Sequence, residues 1–532
     1  MRAGNVLVKI FRSVRPSSGE EGAGVVAILL SSLLVSACGS SNSVSGSGNT
    51  PGPLQPKAQT YYVDANEGND EADGTSPQKA WRTVARASKQ VLKAGDRLLL
   101  HRGQTFSGEL DIHAEGTQAE PVLVSSYGSG QRPVVVGRDA SMWAVRVLNS
   151  SHVTLRGLEI INTGSERLAG RTGLKVECRD HGISADIMID SIYVHDVNGS
   201  LVKEQGGGSA ILIENGGRTV ASRFEGLTIQ NCHIQRCERN AMIWTAYYDR
   251  RNWLPNTCVV VRGNLIEQVP GDGIVPIGCD GAIIEYNVMR DCPDLLPMSE
   301  AAAGIWPWSC DNTVIQFNEV SDHKAPWDAQ GFDCDYNCRN TQIRYNYSHD
   351  NYGGMVLICD AGSERNYSLG NIGSRVEWNI SIGDGQRPKI TRTGSIFAPN
   401  IHIAGRVTNT LVAHNILHSS PKLAQDADRT MICADSWDGY ADSTTITRNI
   451  FYTAEPSQFN MTKTTRNLFL HNWYLGEYQQ LPADAEAQTS LAGKTSTDGK
   501  ALLQLMDERD VCGYKAHFPN PTKMEAFFKT LE

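Results

Sequence analysis

Apolar and polar positions alternate in short bursts along this chain, and many of the bursts end alike. Ile284-Glu285-Tyr286-Asn287, Ile315-Gln316-Phe317-Asn318, Ile343-Arg344-Tyr345-Asn346, Val376-Glu377-Trp378-Asn379, Val412-Ala413-His414-Asn415 and Ile446-Thr447-Arg448-Asn449 share one pattern, with Val261 to Asn264 just ahead of them. From Asn264 to Asn449 the chain makes six steps of about 31 residues, within the period that marks stacked repeats. A unit of that size buries its apolar face only against its neighbours. The pattern therefore predicts an all-β solenoid, a parallel β-helix. Asn tolerates a left-handed backbone, and its amide can bond to the copies above and below it. Each Asn is expected at the bend itself, as one rung of an internal ladder, with Leu158, Ile192 and Cys232 taking that place in earlier coils.

A second set of strands opens on glycine: Gly273-Ile274-Val275, Gly304-Ile305-Trp306, Gly331-Phe332-Asp333 and Gly354-Met355-Val356. Side chains alternate along a strand, so if Ile274, Ile305, Phe332 and Met355 point inward, the residues after them face outward together. The expected outward pairs are Lys175 with Glu177, Leu212 with Glu214, Ile243 with Thr245, Val275 with Ile277, Trp306 with Trp308, Asp333 with Asp335, and Val356 with Ile358. Two indoles thus lie beside two carboxylates.

That pairing suits sugar chemistry. An indole offers a flat apolar face to a pyranose and keeps its N–H available. Glycosidic cleavage needs one carboxylic acid and one carboxylate. Carboxyls at i and i+2 of a strand have Cα atoms about 6.5 Å apart, compatible with the wider spacing of inverting enzymes. Asp333 and Asp335 are the expected acid/base pair, with Asp328 as a further catalytic candidate. Trp306 and Trp308 are expected to bind substrate, together with Lys324 and His323 from the preceding loop, His349 and Asp350 from the following turn, and Asp360 beyond the next strand.

Composition narrows the partners. The 532 residues carry a formal net charge of −9, and removing residues 1–37, with four basic and two acidic side chains, leaves −11. An acidic body argues against nucleic acid. Fifty glycines suit a turn-rich β protein. Of 13 cysteines, Cys279, Cys310 and Cys338 each precede an Ile-x-x-Asn copy and are expected to stack, as disulfides or as buried thiols. No local Cys or His spacing suggests zinc, and no cofactor is expected. The acidic loop from Asp64 to Asp73 reads as a solvated turn.

Arg2, Lys9, Arg12 and Arg15 precede an apolar run from Ala23 to Ala37, too short for a confident membrane span. Leu34-Val35-Ser36-Ala37-Cys38 resembles the bacterial lipoprotein lipobox. The resemblance implies cleavage before Cys38, lipidation of its thiol and an outer-membrane lipoprotein facing the periplasm or the cell surface. Residues 38–58 then read as a flexible tether, residues 59–476 as the solenoid, and residues 477–532 as a C-terminal cap or irregular tail.

The stretch from Tyr61 to Gly108 resembles the opening segment of right-handed parallel β-helix carbohydrate-active proteins of the pectate-lyase-like kind. Within it Trp81, Val84, Ala85, Ser88, Val91 and Leu92 fall on one helical face, the expected N-terminal capping helix. The run Ala329 to Asp333 resembles the calcium motif of one lyase family, with Ala329 and Gln330 where two acidic ligands stand there. On that reading the protein is a lyase or C5-epimerase of uronate polymers, with Ca2+ bound and Lys324 as base. A non-catalytic glycan-binding solenoid is a third reading. The residues favour a monomeric glycoside hydrolase acting on a plant, algal or microbial polysaccharide.

Overall fold

In a computed structural model of the protein, described for residues 57–360, 369–461, 464–491, 494–495, 502–503, 506 and 514–531, parallel strands stack coil upon coil from Thr60–Val63 to Trp473–Leu475. Three faces result: a 15-stranded sheet, a 13-stranded sheet, and a third face built from a seven-stranded and a five-stranded sheet. Isolated bridges from Ile274 to Ile305 and from Ile305 to Phe332 join the two parts of the third face. Between the faces runs one apolar core, from Val63 and Trp81 to Phe469 and Tyr474. The Cys38 lipidation site and the signal segment lie outside the described residues.

The asparagine ladder is present and longer than the sequence pattern alone predicts. Nδ2 of Asn264 donates to Oδ1 of Asn287, and the same bond links Asn287 to Asn318, Asn318 to Asn346, Asn346 to Asn379, Asn379 to Asn415, Asn415 to Asn449 and Asn449 to Asn472, all at 2.8–3.0 Å. Each rung is buried. The expected left-handed residue is displaced by one position. Positive φ falls on the residue before each rung: Tyr286, Phe317, Tyr345, Trp378, His414, Arg448 and His471. The side chain before the rung turns outward, and five of these stack as a column of rings, Tyr286 on Phe317, Tyr345, Trp378 and His414.

The ends differ from expectation in detail. The N-terminal helix is a single turn, Val84–Ala87, capped by the Thr83 side chain. Val91 and Leu92 belong to a strand instead, and Ala85 is exposed. At the other terminus, the helix Pro521–Lys529 buries Met524, Phe527 and Phe528 along the flank of the coils, against Ile380, Ile416, Ile450 and Trp473. Phe528 meets the ring column edge-on at Trp378 and His414. Cys279, Cys310 and Cys338 stack as buried free thiols, the Cys279 and Cys310 amides pointing at the next sulfur at 3.3 and 3.4 Å. In the acidic loop the Asp64 carboxylate accepts the backbone N–H groups of Asn66 and Glu67, and Asp70 those of Arg82 and Thr83 at the start of the helix.

Candidate active site

The site occupies the third face where its two sheets meet. Strand Phe332–Cys334 directs Asp333 outward, and Asp335 follows on the same side. The next coil is slipped by one residue from the expected stacking. Phe332 pairs with Val356 and Asp333 with Leu357, so Leu357 and Cys359 face outward beside the two Asp, and Val356 and Ile358 are core. The glycines explain the slip. A Cβ on Gly354 would lie 2.0 Å from the carbonyl oxygen of Pro399, so Gly354 belongs to a turn crowded by backbone, whereas the neighbours that would crowd Gly331 most are atoms of the Ser348 side chain.

Asp328 arrives from the loop before this strand. It and Ala329 adopt φ of 60° and 62°, a conformation that costs free energy outside glycine and persists where surroundings enforce it. Arg387 is that enforcement. Its buried guanidinium donates to the carbonyls of Ala325, Pro326 and Asp328. Burial lowers its pKa to about 10, and with Nε donating to the Phe397 carbonyl four carbonyl acceptors satisfy its donors.

The three carboxyls share one environment and differ in charge balance. Asp333 is 4% exposed, its Oδ1 is buried without a hydrogen-bond partner, and burial, Asp328 and Asp335 push it well above the usual carboxylate range. Burial lifts Asp335 to about 7, against the pull of hydrogen bonds from the Cys359 thiol at 3.1 Å and the Tyr336 amide at 2.6 Å. Burial raises Asp328 as well, but Arg392, Lys203 and His402 oppose it. Asp328 is thus the carboxyl with most cationic support, and Asp333 the one most firmly held neutral.

The two Trp are less open than their alternation implies. Trp306 is 8% exposed, and its indole N–H donates to Oδ1 of the fully buried Asp272 at 3.0 Å. Trp308 stacks on Tyr248 at 5.0 Å, so the loop carrying Tyr248 covers one of its faces. Other rings lie on the same face: Trp327 stacks on Phe397, and Phe397 and Trp437 meet His402 edge-on.

Several expected binders lie elsewhere. His323 is buried with Nε2 against the Gly271 carbonyl at 2.8 Å, and burial lowers its pKa, so it supports the coil from within. Lys324 points to Asp322 at 4.0 Å. His349 and Asp350 belong to the 13-stranded sheet and its turn. There burial pulls His349 down, hydrogen bonds to Asp350 and Glu319 outweigh it, and its pKa reaches about 9. Asp360 is buried, accepting from the Asn337 amide at 3.2 Å and facing Arg406 at 3.4 Å.

Sequence reasoning missed Lys203, which lies 3.8 Å from Asp272 and 5.4 Å from the Trp306 ring centroid. It also missed Arg387, Arg392 and His402. All four come from distant loops or coils, and the 130-residue separation of Lys203 from Asp333 leaves no local signal.

Comparison with known proteins bears on this geometry. Residues 209–374 match the family model described as right handed beta helix region. The chain is 25% identical over 397 residues to a lacto-N-biosidase of Bifidobacterium longum subsp. longum, covering 57% of this chain and 25% of that protein. It is 33% identical over 64 residues to an alpha-1,3-galactosidase A of Akkermansia muciniphila, covering 12% of this chain and 11% of that one. The chain therefore spans a quarter or less of the length of these curated relatives. The crystal structure of a GH136 lacto-N-biosidase from Eubacterium ramulus superposes with a TM-score of 0.56 at 20% identity, over 80% of this chain and 68% of that one. With three stacked parallel sheets and a matching family model, this chain is a right-handed parallel β-helix protein.

Proposed function

We propose that the protein is a glycoside hydrolase that cleaves an oligosaccharide in the groove over Asp328, Asp333 and Asp335. The observation that carries the reading is the gathering of three carboxyls of unequal proton affinity on one face that also carries aromatic rings. Asp335, near 7, is the general acid, protonated in part at neutral pH and able to give its proton to the leaving oxygen. Asp328, among cations, is the carboxylate that activates water or attacks the anomeric carbon. Asp333, neutral between them, holds the pair in place.

The names of the relatives, lacto-N-biosidase and alpha-1,3-galactosidase, support as substrate an oligosaccharide ending in lacto-N-biose or an α-1,3-linked galactose in place of the plant, algal or microbial polysaccharide expected from the sequence. The test incubates purified protein with lacto-N-biose-terminated and α-1,3-galactosyl oligosaccharides and with uronate polymers. Released sugar without ultraviolet absorbance supports hydrolysis. An unsaturated-uronate absorbance supports elimination, and tight binding without turnover supports a binding module. An outer-membrane anchor at Cys38 is part of the same proposal, and release of a Cys38→Ser protein from the membrane fraction tests it.

A further inference from the structure

Two coils beyond Asp333 on the same outward face, His402 pairs in register with Cys433, and Ala404 with Asp435. Coils repeat about every 4.8 Å, so this group sits about 10 Å along the groove from Asp333. One donor atom from each of His402, Cys433 and Asp435 lies within 4.8 Å of the other two, and Nε2 of His402 is 2.9 Å from Oδ1 of Asp435.

Cys433, like Cys359 beside Asp335, stands apart from the thiols of the core. Cys178, Cys232, Cys237, Cys279, Cys310 and Cys338 point into the apolar core and donate to backbone carbonyls. Cys433 is as buried as these but faces away from the core, among a histidine, a carboxylate and an amide. Its sulfur accepts from Nδ2 of Asn460 at 3.6 Å. A thiol packed as a small hydrophobe belongs in an apolar cluster. One set beside imidazole and carboxylate has the surroundings of a metal ligand.

We propose that His402, Cys433 and Asp435 bind one zinc ion. Imidazole, thiolate and carboxylate are the three ligand types zinc accepts, and three protein ligands leave the fourth tetrahedral position open. On binding, the Cys433 thiol gives its proton to solvent and the sulfur takes the metal. The His402 ring is held edge-on by Phe397 at 4.9 Å and Trp437 at 5.4 Å. Asp435, with its side chain 37% exposed, is the entry side. The open position would take an oxygen of water or of a bound molecule. The proposal stands independently of the hydrolase reading.

The test is cobalt titration of chelator-treated full-length protein. One equivalent of Co2+ is expected to bind with thiolate-to-cobalt charge-transfer absorption in the near ultraviolet, and Zn2+ to displace it. Cys433→Ser should abolish that absorption. Cys433→Ser and Asp435→Asn should each weaken Zn2+ binding by more than about tenfold, the lower end of what losing even an outer-shell partner costs, with circular dichroism unchanged. Absence of binding at metal concentrations on the order of 100 µM, far above the dissociation constants such donor sets give, overturns the proposal. So does cobalt binding with no charge-transfer band, or affinity unchanged in Cys433→Ser. In those cases His402 and Asp435 are only a hydrogen-bonded pair lining the groove.

Discussion

The Trp306 indole donates to Asp272, and the same carboxylate receives Arg239 at 2.6 Å, so a groove residue is fixed by a buried ion pair. Burial pushes the Asp272 pKa up, but Lys203 and Arg239 outweigh it and hold it low. Removing one member of such a pair leaves a buried charge uncompensated. Asp272→Asn should therefore lower stability by about 3 kcal/mol, read as a lower urea midpoint at unchanged m-value. An unchanged midpoint would mean that Glu300, 3.2 Å from Arg239, suffices alone.

The three carboxyls should separate by substitution. Asp335→Asn and Asp328→Asn should each lower kcat by at least about a hundredfold, the lower end for general acid–base help. Asp333→Asn keeps the neutral form and the shape, and should retain activity to within about tenfold. Steady-state kinetics on the cleaved oligosaccharide decides it, and a collapse in Asp333→Asn alone would move the acid/base role to that residue.

Asp335 also makes stability depend on pH. Its folded pKa of about 7 lies above its ordinary value of 3.8, so between these the folded state holds more protons and stability falls as pH rises. The thermal midpoint should drop from pH 4 toward pH 7 and level off above, with Asp335→Asn showing a shallower fall. Hydrolysis should decline above pH 7 as the general acid ionises.

The ladder predicts a large local cost. Asn346 accepts from the amide and Nδ2 of Asn318 and donates to Ile315 and Asn379. Asn346→Ala leaves several of these buried groups unpaired, at about 1–3 kcal/mol each. Thermal unfolding should show a loss of about 3 kcal/mol or more, while Arg344→Ala on the exposed side of the same strand should stay near wild type.

The ladder was legible because it repeats. Asn at one place in each coil follows from a backbone geometry that recurs, and the aromatic residue before it carries the bend. Asp333 and Asp335 were legible for the same reason, since strand alternation fixes their side of the sheet. The row beside them was not. Whether Val356 or Leu357 faces outward depends on how Gly354 sits against Pro399 and Asn400, a contact between coils. His323 and Lys324 have contacts that loop polarity does not reveal: one imidazole is buried against Gly271 and one ammonium points to Asp322. The His402, Cys433 and Asp435 group escaped because His402 stands one coil before the Cys433-x-Asp435 strand, while metal motifs are sought at spacings of a few residues.

Between successive rungs the chain runs 23, 31, 28, 33, 36, 34 and 23 residues, yet the rung bonds stay within 2.8–3.0 Å. All variation in coil length is therefore looped out away from the rungs, and the loop that carries Arg387 and the turn that presents Asp328 are two such excursions. The ladder works as a ruler that lets loops over the groove lengthen, shorten or exchange without shifting the register of the coils beneath. A descendant of this chain could acquire a new sugar preference by inserting residues between rungs while the scaffold kept its alignment.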